Sequence, residues 1–378
     1  MEKVKLNELA NIYLGVTHTP EYVLEGVPFL SVKDISGGKI CFDDCKYISQ
    51  EEYDSLSEGA KPKVGDMLFC RVGTLGKPII IPEGTPLFGS FVSLGYLRNR
   101  NSDRCDLNYL RYWMYSNSFW KQVNANVKGA SQINLNTGWL SKFYIDLPGI
   151  AEQRYRISVL DKCKSVIEER EAELAALDDL IKARFVEMFG DPIQNPKGWD
   201  MPLIEEVVAN EKNALKAGPF GSALKKEYYV TSGYKIYGQE QVISGDCTFG
   251  DYYIDEERYK SLENCAVQAG DVLISLVGTY GKLLIMPEVF EPGIINPRLM
   301  KITFDKEKIN PYYFKFFFQS ESLKRALSEN THGGTMDILN LGIVRKIAMP
   351  LPPLKLQNEF ADFVNQIDKS KVAVLKIF

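Results

Sequence analysis

The sequence predicts an α+β chain: two tandem-duplicated β-rich domains separated by long helices that pair as an antiparallel coiled coil. Two observations carry this expectation. GDMLFCRVGTLGK at 65–77 returns as GDVLISLVGTYGK at 270–282, identical at eight of thirteen positions. Between the copies lies a stretch, 151–189, with neither proline nor glycine.

The duplication extends well past that motif. YISQEEYDSL (47–56) matches YIDEERYKSL (253–262), and GVPFLSVKDI (26–35) lines up with GYKIYGQEQV (233–242). DLNYLRYWMYSNS (106–118) parallels NPYYFKFFFQSES (310–322), KGASQINLNTGWL (128–140) parallels HGGTMDILNLGIV (332–344), and YIDLPGIAEQ (144–153) matches AMPLPPLKLQ (348–357). The blocks stay collinear, and a period this long means duplicated domains, not a solenoid. The expected boundaries are a first domain at 1–150, a central helix at 151–192, a second domain at 193–352 and a last helix at 353–378.

Within each domain, LSVKDI, KPIIIP, KIYGQEQV, DVLISLV and KLLIMP read as short strands bounded by glycine, proline and aspartate. LNYLRYWMYSNSFWKQV and PYYFKFFFQSESLKRAL read as helices whose aromatic residues belong to cores. In the central helix Leu160, Ile167, Leu174, Leu177, Ile181 and Phe185 form an apolar stripe. FGDP stops it, a glycine followed by proline. Forty helical residues reach roughly 60 Å. After the second domain Phe360, Phe363 and Ile367 repeat the pattern, so the two stripes are expected to bury against each other. Phe378 falls about where the central copy reaches Leu174, which makes the last helix short relative to its counterpart.

Composition narrows the function. With 378 residues and 45% hydrophobic content the chain can build two real cores. It has no apolar run long enough to span a membrane and no signal-peptide pattern. Seven cysteines without a CxxC pair suggest reduced thiols and a cytoplasmic address. Two histidines, His18 and His332, give a metal site or a histidine base little to work with.

Catalytic motifs fail on spacing. VGTLGK and VGTYGK have two residues between their glycines where a Walker loop needs four, and a β-rich run follows where a helix should. NPYY (310–313) resembles the N-P-P-Y signature of amino-methyltransferases, but its counterpart, Asp106-Leu107-Asn108-Tyr109, lacks the proline. Carboxylate pairs do not recur between the copies, whereas a duplicated enzyme should duplicate its acids. What recurs is turns that carry small polar and basic residues. Lys128, Ser131, Gln132 and Asn134 lie in one such loop and Thr335 in its counterpart, while GPFGSALKKEYY (218–229) adds another. Asn and Gln can bond adenine, Arg or Lys guanine, and lysines meet phosphates. Against this stands a net charge of −4, so the chain alone is expected to bind nucleic acid poorly.

The hairpin pair, GPFGSALKKEYYV, ARFVEMFGDP, and LPGIAEQ and LPPLKLQ leading into helices together resemble the DNA specificity subunits of Type I restriction–modification systems. The resemblance covers nearly the whole chain. It implies a non-catalytic subunit with two target-recognition domains, each reading one half of a bipartite asymmetric sequence on double-stranded DNA. The helices would fix the gap between the halves and dock two adenine-N6 methyltransferase subunits, with restriction subunits as further partners. S-adenosylmethionine, and ATP with Mg2+, would belong to those partners, and no cofactor to this chain. The resemblance puts Arg71, Thr74 and Lys77 near DNA in the first domain, and Thr279, Tyr280 and Lys282 in the second. Ser222, Lys225 and Lys226 would lie close to the backbone, and Gln239 and Gln241 on a strand facing bases. YLGVTHTPEYV (13–23) keeps only Gly15 and Thr17 of the GPFGS pattern. The rival expectation is a two-module protein–protein scaffold without nucleic-acid binding, which the acidic balance favours.

Overall fold

The computed structural model describes residues 2–126, 134–277, 281–329 and 339–375. The chain divides into two units, Met1–Glu168 and Glu169–Phe378. The division falls inside one continuous helix, Ile150–Phe189, so each unit owns half of it.

The first unit contains β1 (Glu2–Lys5), β2 (Ala10–Leu14), β3 (Val27–Leu30), β4 (Lys46–Ile48), β5 (Met67–Cys70), β6 (Gly76–Ile80), β7 (Gly89–Ser90), β8 (Leu94–Asn99) and β9 (Tyr144–Leu147). They form a four-stranded sheet in the order β2-β8-β5-β6, a three-stranded sheet β4-β3-β7 and the pair β1-β9. The second unit contains β10 (Leu215–Ala217), β11 (Tyr234–Tyr237), β12 (Tyr253–Ile254), β13 (Val272–Ser275), β14 (Leu283–Ile285), β15 (Gly293–Ile295) and β16 (Leu299–Ile302). Its sheets repeat the first unit's plan as β10-β16-β13-β14 and β12-β11-β15. In both units the three-stranded sheet has one antiparallel and one parallel pairing, β3 with β7 and β11 with β15.

The duplicated Gly-Asp pair is structural. Asp66 accepts both Nε (2.9 Å) and Nη2 (2.8 Å) of Arg98 and the backbone N–H of Lys63 (2.8 Å). Asp271 accepts from Lys301 Nζ (3.2 Å), the Thr303 hydroxyl and the N–H of Gln268 (2.9 Å). Each buried aspartate thus pins the turn before β5 or β13 to β8 or β16 through an ion pair, whose cation is buried at Lys301 and partly exposed at Arg98.

A second duplicated device anchors the long helices. Gln153 and Gln357 are fully buried at the starts of Ile150–Phe189 and Leu354–Leu375. Gln153 accepts from the N–H of Asp106 and donates to the carbonyls of Arg104 and Pro148. Gln357 makes the same three bonds with Asn310, Lys308 and Pro352. Asp106 and Asn310 in turn cap the aromatic helices Leu107–Tyr115 and Pro311–Phe318.

Two local expectations need correction. LSVKDI and KIYGQEQV are strands only at their starts; each then turns into a short helix, Val32–Asp34 and Gln239–Ser244. The reason is a cap made by the third helical residue: its side chain accepts the N–H of the residue before the helix, Asp34 from Ser31 (2.6 Å) and Gln241 from Gly238 (2.8 Å). The aromatic helices each break once. Leu107–Tyr115 is followed by Asn117–Asn126, because the Ser116 hydroxyl donates to Trp113 and accepts from the N–H of Phe119. Pro311–Phe318 is likewise followed by Glu321–Glu329, with Ser320 in the same role.

Candidate nucleic-acid interface

The β5–β6 hairpin shifts register between Leu68 and Cys70, and Gly73 (φ 67°), Gly76 (φ 79°) and Lys77 (φ 49°) are left-handed. The glycines of VGTLGK are therefore turn formers, not a phosphate cradle. Thr74 is exposed at the tip and Lys77 half-buried. Arg71 is not available to a ligand. It is 7% exposed, and its guanidinium donates to the carbonyls of Leu135 (3.0 Å) and Val92 (2.7 Å). It ties the hairpin to the loop at 134–136, where Asn134 is exposed. Lys128, Ser131, Gln132, Thr279, Tyr280 and Thr335 lie outside the described residues.

In the second unit the polar groups converge on a cleft of about 810 Å3, lined among others by Lys226, Tyr229, Gln239, Tyr252, Asn296 and Arg298. Gln239 and Gln241 sit on a helix, not a strand. Gln241 is buried, its oxygen taken by Gly238 N–H and its amide by the Phe249 carbonyl (2.6 Å). Only Gln239 reaches the cleft as a partly exposed group. Its amide donates to Ser275 Oγ (2.8 Å) and the Val277 carbonyl, and its oxygen accepts from Arg298 (3.4 Å). Ser222, Lys225 and Lys226 are exposed, and Lys225 lies 3.4 Å from Glu227. Lys282 is exposed beside the second hairpin. Among the described residues, Lys226, Lys282 and Arg298 have no carboxylate within ion-pair distance.

Gly15 and Gly218 explain what survives of the GPFGS pattern in both copies. A Cβ on Gly15 would lie 2.1 Å from the Ser90 carbonyl oxygen, and one on Gly218 1.9 Å from that of Asn296. The loop must press its backbone onto the turn that follows β7 or β15, and only glycine fits. Beyond that glycine the side chains differ, and Phe220 stands 91% exposed in the second unit.

Sequence reading missed Asn296, Arg298, Tyr229 and Tyr252. The available signal was composition: the turn between β15 and β16 reads Asn296-Pro297-Arg298, polar and basic, where the first unit has Phe91-Val92-Ser93.

The helix pair is built from part of the expected stripe. Ile181, Phe185 and Phe360 are buried, and Leu174, Leu177, Phe363 and Ile367 are half-buried. Phe360 meets Phe185 and Phe189, with ring centroids 5.5 Å apart in each case, and Lys371 bonds Asp178 (2.6 Å). Residues rise on one helix as they fall on the other, so the pair is antiparallel. Leu160 (42% exposed) and Ile167 (44%) are not in it, because Leu354–Leu375 packs on the second half of the central helix.

Comparison with known proteins agrees with this architecture. Residues 196–376 match the family model described as Type I restriction modification DNA specificity domain. A Methanocaldococcus jannaschii protein provisionally called the type I restriction enzyme MjaX specificity subunit is 22% identical over 91% of this chain and 80% of its own length. The MjaVIII specificity subunit of the same organism is 22% identical over 72% of this chain and 65% of its own length. A chain from a structural study of complex assembly and conformational transition in the type I R-M system superposes with a TM-score of 0.56 at 17% identity, covering 100% of this chain and 92% of that one. The S subunit of a Type-I restriction-modification system from M. genitalium gives 0.53 at 15% identity, covering 99% and 91%. No helix among the described residues is long and apolar enough to cross a membrane, and they hold no group of ligands suited to a metal ion. Residues 196–376 thus carry the DNA specificity domain of Type I restriction–modification systems, and most of the chain is similar to specificity subunits of those systems.

Proposed function

We propose that this chain is the non-catalytic reader of a bipartite, asymmetric target on double-stranded DNA, with one half-site per unit. One observation carries the reading. The two units keep the same sheets, the same buried aspartate pairs and the same glutamine anchors, yet differ where polar side chains reach solvent. A shared frame with exchanged surface groups is what two different half-sites require. Groups on the turns then meet the DNA: Thr74, Lys77 and Asn134 in the first unit, and Gln239 and Lys282 in the second, where Ser222, Lys225 and Lys226 lie close to the phosphate backbone.

The exposed half of the central helix, with Leu160 and Ile167, is a docking face for methyltransferase subunits, and restriction subunits complete the assembly. S-adenosylmethionine, and ATP with Mg2+, belong to those partners, and the complex works in the cytoplasm. Partners also supply much of the grip on phosphates, since this chain's net charge is −4.

The test is a domain exchange. Replacing residues 195–350 with the corresponding segment of another specificity subunit should change one half of the methylated motif and leave the other intact. A change in both halves contradicts the modular reading. A scaffold without nucleic-acid contact, the reading the negative charge favours, predicts no sequence-specific retention of DNA by the assembled complex.

A further inference from the structure

We propose that Arg298 reads one guanine in the half-site of the second unit, with Gln239 setting the angle of its guanidinium, an assignment that rests on the DNA-reading function above. The turns after β7 and β15 share one backbone. Phe91 N–H donates to Leu30 and Asn296 N–H to Tyr237; Leu94 N–H donates to Phe91 and Leu299 N–H to Asn296. Arg71 N–H donates to the Ser93 carbonyl, and Leu276 N–H to the Arg298 carbonyl, 2.9 Å in both. Arg298 therefore occupies the place of Ser93, and Leu276 that of Arg71.

Across this one backbone hydrogen bond the two units have exchanged the side that carries arginine. In the first unit it comes from the hairpin, points inward and is consumed by the carbonyls of Val92 and Leu135. In the second it comes from the turn and is exposed, and among the described residues its guanidinium hydrogen-bonds only Gln239, at 3.4 Å. An arginine spent on carbonyls stiffens a loop. One left exposed has a free fork of donors.

The surroundings favour a base edge over a bare phosphate. Gln239 cannot turn freely, since its amide is held by Ser275 Oγ and the Val277 carbonyl. Its oxygen therefore fixes one side of the guanidinium and leaves the remaining N–H groups to the cleft. Asn296 Oδ1 accepts the backbone N–H of Arg298 (2.9 Å), which orders the turn beneath it. A planar fork so held matches the O6 and N7 acceptors of guanine in the major groove, while Lys226 on the same cleft can meet a phosphate. Phe91 and Ser93 offer the first unit no such fork, so its half-site is read by other groups.

The experiment selects bound duplexes from a random pool with the complex of this chain and its methyltransferase subunits, then sequences them. Wild type should return a two-part motif. Arg298→Ala should relax discrimination at one G·C position of one half by about 10- to 100-fold, with the other half unchanged. Arg298→Lys should recover binding strength but not that discrimination. Gln239→Glu, which draws the guanidinium into an ion pair, should relax the same position and leave the other half unchanged. An unchanged motif in Arg298→Ala overturns the assignment while leaving the reader function standing. No motif from wild type overturns the reader function itself, and the assignment with it.

Discussion

The carboxamide oxygen of Gln153 accepts the backbone N–H of Asp106 at 2.9 Å, and that aspartate caps the aromatic helix Leu107–Tyr115. One buried side chain thereby fixes the start of the long helix to the domain that precedes it, and Gln357 does the same through Asn310. Gln153→Ala or Gln357→Ala leaves buried groups without partners. Each should destabilise its own unit by about 2–4 kcal/mol in urea unfolding. A loss below 0.5 kcal/mol would show that the three bonds do not hold the helix.

The buried Asp271–Lys301 pair should be costly to break from one side. Asp271→Ala strands the Lys301 ammonium, which is 5% exposed, and should cost about 3–5 kcal/mol. Replacing both partners with apolar residues should recover much of that loss.

Acid should weaken the second unit's Lys235–Glu291 pair, where the nitrogen is buried and lies 2.7 Å from the carboxylate. The Lys235 hydrogen bond holds the Glu291 carboxyl below the usual glutamate range. A depressed carboxyl contributes stability above its unfolded pKa, about 4.3, and loses it as pH falls through the lower folded value. Melting temperatures from pH 6 to 3 should therefore drop more steeply in wild type than in Glu291→Gln.

The central helix separates two kinds of apolar residue. Phe185→Ala should destabilise the second unit by about 3–5 kcal/mol, because the ring is buried among Tyr313, Phe189 and Phe360. Leu160→Asp and Ile167→Asp should change stability by less than about 0.5 kcal/mol yet abolish co-purification with methyltransferase subunits. Retained co-purification would place the dock elsewhere. Thiol labelling gives an independent readout: Cys163 and Cys41 are exposed, whereas burial pushes Cys70 up to about 11 and Cys105 up to about 12. Only the exposed pair should label quickly at neutral pH, and docking should protect Cys163.

Lys225→Ala and Lys226→Ala test backbone contact. Each should weaken binding by a similar factor on every sequence and flatten the dependence of log K on log salt by about 0.9. Loss confined to one sequence would mean base contact.

Collinear repetition made the duplicated sheets, the aromatic helices and the helical spacer legible from residues alone, because periodicity and turn formers are local properties. Arg71, Gln241 and Arg298 were not legible in that way. A positively charged or amide side chain next to a glycine turn reads as a ligand contact in any sequence. Whether it faces solvent depends on which carbonyls the folded chain brings within 3 Å of it. Arg71 meets those of Val92 and Leu135, and Gln241 that of Phe249, partners supplied by other strands and loops. The sequence by itself therefore determined the frame and its doubling. Only tertiary packing decided which polar groups the frame uses up and which it leaves to a partner, since hydrogen-bond satisfaction is settled between segments that are distant along the chain.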